Sequence, residues 1–137
     1  ETLEVPVIIH SRGTTDIIVE MLSSYNLKGV LLHWFSHPMS ALIKAIDKGY
    51  FISEGPPITY SKGIREVVEK TPITNLLTET DGPVTYWKEP YKGQLTKPSY
   101  ILNVVNEIAE IKKNPVEEIA EQITNNFEKL FNIKLAN

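Results

Sequence analysis

The segment GVLLHWFS, residues 29–36, decides the fold of this chain, because a short run of apolar residues leads directly into a histidine. A run that is apolar on both faces is typical of a strand buried in a parallel sheet with helices on either side. Similar runs occur in VPVII at 5–9, YFI at 50–52 and NLLT at 75–78. The sequence therefore predicts four buried strands.

Amphipathic segments separate these strands and predict helices. The predicted helices begin at Thr14 or Thr15, at Pro38, at 63, near Pro98 and after a cap at Asn114 with Pro115 in the first position. The face predicted to meet the core contains Ile17, Ile18, Met21 and Leu22 in the first helix, and Ile119, Ile123, Phe127 and Leu130 in the last.

Alternating strands and helices predict an α/β fold with a parallel sheet covered by helices. A (β/α)8 barrel takes about 250 residues, and this chain has four β/α units and a C-terminal helix in 137 residues. We therefore expect residues 1–137 to form a single domain that is the C-terminal half of a TIM barrel. A four-stranded open sheet is the structural alternative.

Composition excludes several classes of protein. The chain is 42% hydrophobic and 23% charged, which is ordinary for a globular domain, and its net charge of −3 argues against a protein that coats nucleic acid through bulk positive charge. It has no cysteine, so disulfides and thiolate sites are excluded. No apolar run approaches the roughly 20 residues of a membrane span. We expect a cytoplasmic protein with no membrane partner.

Polar side chains follow three of the predicted strands at the point where each strand ends. His10 and His33 end the first two strands, and Asp81 follows the fourth. The carboxyl ends of parallel strands meet on one rim of a barrel, where active sites are built. Imidazole and carboxylate groups suit zinc, manganese and related divalent ions. The alternatives are two structural histidines and an ordinary Asp-Gly-Pro turn at 81–83.

Four segments together resemble motifs of the TatD-type metal-dependent deoxyribonucleases. They are PVIIHSR at 6–12, HWFS at 33–36, LTETDGP at 77–83 and ITNNFEKLF at 123–131. The resemblance covers nearly the whole chain. It implies strands five to eight of a (β/α)8 barrel, a site for one or two divalent ions (Zn, Mn or Mg), and hydrolysis of DNA stepwise from an end.

The resemblance also implies roles for individual residues. His10 and His33 would be metal ligands, and Asp81 would bind the other metal position and act as the base that activates water. Arg12 would contact a phosphate, because its planar guanidinium matches phosphate geometry. Glu79 points towards Asp81 or away from it depending on the twist, and its expected role is support of the metal ligands.

The loop at 82–97 is a further candidate for substrate contacts. Trp87 and Lys88 stand next to each other in it and are predicted to bind substrate, as an aromatic platform and a cation. Tyr86, Tyr91 and Trp34 are weighed for the same stacking role, although Trp34 alternates away from His33 and fits core packing better. Tyr91, with Lys92 beside it, lies in the same loop on the site face and is a candidate of the same kind as Trp87.

Two features depart from the family pattern. His37 stands where the family usually has glycine. Contact with substrate or metal is one interpretation, and a surface residue at a helix start is the preferred one. Residues 96–98 are Thr-Lys-Pro in place of the family's Asn-Glu-Pro. The resemblance further implies that the chain begins just before strand five, so that the His-x-His of strand one and the bridging Glu of strand four are outside it.

Three functions follow as hypotheses. The first is a metal-dependent phosphodiesterase acting on DNA or another phosphodiester, with this chain lacking part of the site. The second is an amide or ester hydrolase on the same scaffold. The third is a non-catalytic metal-binding assembly module. Because an open parallel edge exposes unpaired backbone groups, we expect pairing with the missing N-terminal half-barrel or with a second copy.

Overall fold

A computed structural model describes residues 2–36 and 38–136, in which strands and helices alternate along the chain. The strands are β1 (Val7–His10), β2 (Val30–His33), β3 (Phe51–Glu54) and β4 (Leu76–Thr78). The α-helices are α1 (Thr15–Leu22), α2 (Met39–Asp47), α3 (Lys62–Lys70), α4 (Ile101–Lys112) and α5 (Val116–Phe131). Short 3-10 helices cover Pro56–Thr59, Ile73–Asn75 and Pro98–Tyr100.

The four strands form one sheet in the order β1-β2-β3-β4, and every neighbouring pair is parallel. The register places His10 opposite His33, and His33 opposite Ser53. Each strand is joined to the next by a segment that contains a helix, as a parallel sheet requires. The predicted α/β class with a parallel sheet is confirmed, and the strand ends lie side by side on one edge.

Helices α1 and α2 bury one face of the sheet. Leu32 and Ile52 are completely buried there, and Val19 and Leu42 pack against them from the two helices. Full burial of an aliphatic side chain stabilises the fold by roughly 1.5–3 kcal/mol. This core holds β2 and β3 in place beneath the strand ends.

Helices α3, α4 and α5 form a second core with the rest of the sheet. The strand residues in it are Leu31, Phe51, Leu76 and Leu77. The helical residues in it are Ile64, Val68, Val104, Val105, Ile108, Ala109, Ile119, Ile123 and Leu130. This core fixes β4, which precedes Asp81.

The buried face of α1 differs from the predicted one. Ile17 and Met21 are 69% and 52% exposed, whereas Leu22 is buried as predicted. Thr15 and Val19 are buried in place of the exposed pair. Several apolar residues lie around this helix, so the sequence periodicity allows two overlapping faces. Packing against α2 selects the face that contains Val19.

Three further sequence predictions are corrected at the edges of the fold. Ile8 was expected in a strand buried on both faces but is 57% exposed, because β1 is an edge strand with one face uncovered. Phe127 was expected to face the core but is 37% exposed. α5 begins at Val116 with Pro115 in the cap position, so the predicted cap at Asn114 is one residue early.

Among the described residues, no helix is long and apolar enough to cross a membrane.

Candidate metal centre

The predicted histidines lie next to each other at the carboxyl ends of β1 and β2. Nδ1 of His10 is 3.0 Å from Nε2 of His33. Nδ1 of His33 is 3.1 Å from Oε1 of Glu79, just beyond β4, and the hydroxyl of Ser53 on β3 donates to the other oxygen of Glu79. One hydrogen-bonded chain therefore joins the ends of all four strands.

The chemistry of these groups assigns the protons on the histidines. An ionised carboxylate only accepts hydrogen bonds, so Nδ1 of a neutral His33 carries the proton that Glu79 receives. The lone pair of His33 Nε2 then accepts a hydrogen bond from Nδ1–H of His10, and it becomes available to a metal ion when that hydrogen bond is broken. Nε2 of His10 is left with a lone pair as well. A carboxylate that orients an imidazole in this way is the usual support of a histidine that binds a metal.

His33, Glu79 and Asp81 form a group that suits a divalent cation. One ligand atom from each residue lies within 4.8 Å of the others, and all three side chains are partly buried. Nitrogen and carboxylate oxygen together fit zinc or manganese better than a purely oxygen-ligated ion such as magnesium. His33 and Asp81 would hold the ion, and Glu79 or His10 would complete or support the set.

This grouping overlaps with the predicted ligands and adds one residue. His33 and Asp81 were predicted and come together, while His10 lies one hydrogen bond behind them. Glu79 was predicted only as support, yet it belongs to the group. The signal for it was the Glu-x-Asp spacing, which places a second carboxylate two residues before Asp81.

Backbone geometry at the centre is unusual at two strand ends. Trp34, directly after His33, has φ of 44°, and Asp81 has φ of 49°. This left-handed region is uncommon for residues other than glycine and recurs at functional sites. The hydroxyl of Tyr86 donates to the carbonyl of Thr80 at 2.7 Å and so fixes the backbone beside Asp81.

A buried carboxyl group lies beside the centre. Glu54, the last residue of β3, is completely buried, and neither of its oxygens has a hydrogen-bond partner in the described part of the chain. Burial, and second the charge of Glu79, raises the pKa of Glu54 well above its ordinary value. Burial therefore favours the protonated, uncharged form of Glu54 over the carboxylate.

An open cavity of about 520 Å³ lies over the strand ends. His10 and Asp81 line it, and so do the three predicted substrate contacts, Arg12, Trp87 and Lys88. Arg12 and Lys88 form no ion pair with the described residues. The volume of this cavity is within the usual range for small-ligand sites, roughly 300–1,000 Å³. Cations and a metal-binding group therefore face the same space.

The other aromatic candidates have a structural role. Tyr86 and Tyr91 are 2% and 3% exposed and stack in a cluster with Tyr100, so the proposal that they stack on bases is wrong. Trp34 packs on Tyr86 with ring centroids 6.2 Å apart, in line with the core role preferred for it. Contacts with rings from other segments of the chain bury Tyr86 and Tyr91. The sequence of the loop alone does not indicate these contacts.

Two residues that depart from the family pattern have different outcomes. The hydroxyl of Thr96 accepts from the N–H of Val84 and donates to the carbonyl of Val84, so it supports the loop. His37 lies outside the described residues, and its predicted surface position stays a prediction.

Comparison of the sequence with known proteins identifies a family and individual relatives that match nearly the whole chain. The family described as TatD related DNase matches residues 1–132. The metal-dependent hydrolase YabD of Bacillus subtilis is 33% identical over 135 residues, covering 96% of this chain and 52% of that protein. The human protein named deoxyribonuclease TATDN3 is 33% identical over 129 residues, covering 94% of this chain and 46% of that protein.

Solved structures give the same result. The crystal structure of YjjV, a TatD homolog from Escherichia coli, superposes with a TM-score of 0.86 at 33% identity and covers 94% of this chain and 51% of that one. A TatD family hydrolase from Entamoeba histolytica, 17% identical, shares the fold with a TM-score of 0.81. The predicted half of a TIM barrel is confirmed. The chain spans about half the length of the curated relatives it matches.

Proposed function

The chain belongs to the family of TatD related DNases, and on that basis we propose that the complete protein hydrolyses phosphodiester bonds in DNA with one or two divalent metal ions. The observation that carries this proposal is the grouping of His33, Glu79 and Asp81 within 4.8 Å, next to a cavity that also contains Arg12 and Lys88. A phosphodiester carries one negative charge, which these cations and a metal ion would neutralise together. Zinc, manganese and magnesium are the proposed ions.

Each side chain has a defined task in this reaction. A bound divalent ion would supply Lewis acidity, which lowers the pKa of water and stabilises charge on the phosphoryl oxygens. Asp81 accepts the proton of the attacking water as its general base. Nε2 of His33 would exchange its hydrogen bond from His10 for the ion, and Nε2 of His10 would offer a second lone pair. Glu79 orients His33, and Arg12 pairs with a non-bridging oxygen of the phosphate. Water is added across one P–O bond, and a phosphomonoester and an alcohol are released.

The surface of the chain supports a proposal about its partner. Ile8 on edge strand β1 is 57% exposed, and a groove of about 570 Å³ beside β4 is lined by apolar residues that include Leu77, Ile101 and Phe127. Apolar groups on both edges of a parallel sheet fit a complementary set of β/α units. Because the relatives' chains are about twice as long, we commit to a complementary half-barrel as the occupant, and a second copy of this chain is the alternative outcome.

Hydrolysis of a single-stranded oligonucleotide tests the proposed function. We would assay the chain with and without a complementary half-barrel from a relative, in Mn²⁺ or Mg²⁺, and repeat each assay with chelator. Release of nucleotides that chelator abolishes is expected. Asp81→Asn should remove it, whereas Asp47→Asn, an exposed substitution on α2, should not.

Other outcomes select the competing functions. Chelator-sensitive cleavage of amide or carboxylic ester substrates without nucleotide release would replace the nuclease proposal with the second hydrolase class. Metal uptake and association with no turnover, even with the complementary half present, would favour the assembly module. A dimer in sedimentation experiments would replace the half-barrel partner with a second copy.

A further inference from the structure

Trp87 is the most exposed aromatic side chain described at the candidate metal centre. It is 73% exposed and lines the same cavity as Asp81. Tyr60 lines this cavity from the segment before α3. The ammonium group of Lys88 lies 5.0 Å from the centre of the Trp87 ring and 5.6 Å from the centre of the Tyr60 ring. Two aromatic rings from distant parts of the chain thus flank one cation beside the centre.

The loop holds Trp87 in position without burying it. The neighbouring Tyr86 is anchored by its hydroxyl and by ring contacts with Trp34 and Tyr91. A backbone bridge between Thr85 and Leu95 closes the base of the loop. The loop therefore has its own aromatic core, and Trp87 is presented by a scaffold that need not order on binding. Preorganisation of this kind lowers the entropic cost of capturing a ligand.

The exposed area of Trp87 has a consequence for binding. With one side of the indole near the ammonium of Lys88 and 73% of the residue exposed, a broad indole surface remains open to solvent. A planar ring stacking on this surface would remove apolar area from water and interact with the aromatic π system. The cation next to it would attract a negative group attached to that ring.

We propose that Trp87 and Tyr60, with Lys88 between them, form a subsite for a nucleobase whose attached phosphate is directed toward Asp81. This inference rests on the proposed function, because it describes which part of a nucleic acid the cavity holds. It assigns the base to the two rings, and the phosphate to Lys88 and Arg12. Stacking is tolerant of sequence, because every base offers a planar face.

Binding of a short oligonucleotide in the presence of chelator tests the subsite without turnover. We would titrate the Trp34→Phe chain, in which Trp87 is the remaining indole, with a thymidylate trinucleotide and with its abasic counterpart. Quenching of Trp87 fluorescence by the first but not by the second is expected. Identical responses to the two strands would overturn the proposal.

Variants define the contribution of each ring. Stacking contributes about 1–3 kcal/mol per base, so Trp87→Ala should weaken binding of the trinucleotide by roughly 5- to 150-fold and leave binding of the abasic strand unchanged. Tyr60→Ala should act in the same direction, and Tyr60→Phe should retain affinity because the ring does the stacking. Tyr25→Ala, which removes an exposed ring far along the sequence, is the matched control.

The outcomes separate the subsite from the proposed function. Metal-dependent cleavage of both strands, with no effect of Trp87→Ala on binding, would refute the subsite alone. Base-dependent quenching with no cleavage of either strand, even with a complementary half-barrel, would refute the nuclease proposal and leave a nucleotide-binding site.

Discussion

Nδ1 of His33 lies 3.1 Å from Oε1 of Glu79, which connects the end of β2 to the end of β4 across the intervening strand. Ser53 on that intervening strand donates to the other oxygen of the same carboxylate. Glu79 thereby fixes the ring of His33 and leaves the Nε2 lone pair of His33 facing His10. This arrangement makes the two strand ends one unit and determines how the centre responds to substitution.

Glu79→Gln should weaken metal binding. The substitution removes a negative charge from the group and replaces the acceptor of the His33 proton with an amide. Loss of such supporting contacts costs roughly 10- to 100-fold in metal affinity. Calorimetric titration with Zn²⁺ or Mn²⁺ measures the change, and Glu66→Gln on the exposed side of α3 is the control. Equal affinity of Glu79→Gln and the unmodified chain would show that this carboxylate does not serve the metal.

Asn126→Leu should destabilise the fold without touching the site. Asn126 is 2% exposed, and its amide donates to the carbonyls of Ile73 and Leu76 at 2.7 Å each, so it joins α5 to the start of β4. Leucine would leave both carbonyls without this donor, at a cost of about 2 kcal/mol or more. Denaturant unfolding measures the loss. Asn125→Leu, on the exposed side of the same helix, should change little; equal losses from the two variants would contradict this role.

Glu54→Gln should remove a pH dependence of stability. Burial, with the charge of Glu79, raises the pKa of Glu54, so the folded chain keeps a proton that the unfolded chain releases near its ordinary pKa of 4.5. The free energy of unfolding therefore falls as pH rises above that value, until the folded carboxyl ionises. Glutamine has the same shape and no proton to release, so it should raise Tm by a few degrees at about pH 8 and change it little at about pH 4.

Thermal unfolding followed by circular dichroism, in chelator and across this pH range, checks the effect. The comparison with Glu66→Gln separates Glu54 from the general effect of removing one negative charge. A Tm difference that is the same at every pH, or an unmodified chain that is the more stable at alkaline pH, would show that Glu54 ionises normally.

Much of this fold could be predicted from the sequence because its signals are local. The apolar runs that end in His10 and His33 marked both the strands and the site, since side chains that leave parallel strands share one rim. The buried face of α1 was not predictable, because Val19 and Ile17 are equally apolar and only contact with α2 distinguishes them.

The rest of the site depended on contacts between distant segments. The sequence identified Asp81 but assigned Glu79 a supporting role, because Glu79 is held in the group by contacts with His33 and Ser53 from other strands. Tyr91 was indistinguishable from Trp87 as a loop aromatic until Tyr100 was found stacked on it. The complete burial of Glu54 could not be predicted either. The sequence around the end of β3 gives no sign that a carboxyl group there would be enclosed.

Anomalous diffraction from crystals grown with Zn²⁺ tests most directly whether the strand ends form a divalent-metal centre. Data collected on both sides of the zinc absorption edge would locate the ion. The predicted result is a peak about 2.0–2.2 Å from a ring nitrogen of His33 and a carboxylate oxygen of Asp81. A crystal that takes up zinc at other surfaces, with no peak at this rim and with His33 still bonded to His10, would contradict it.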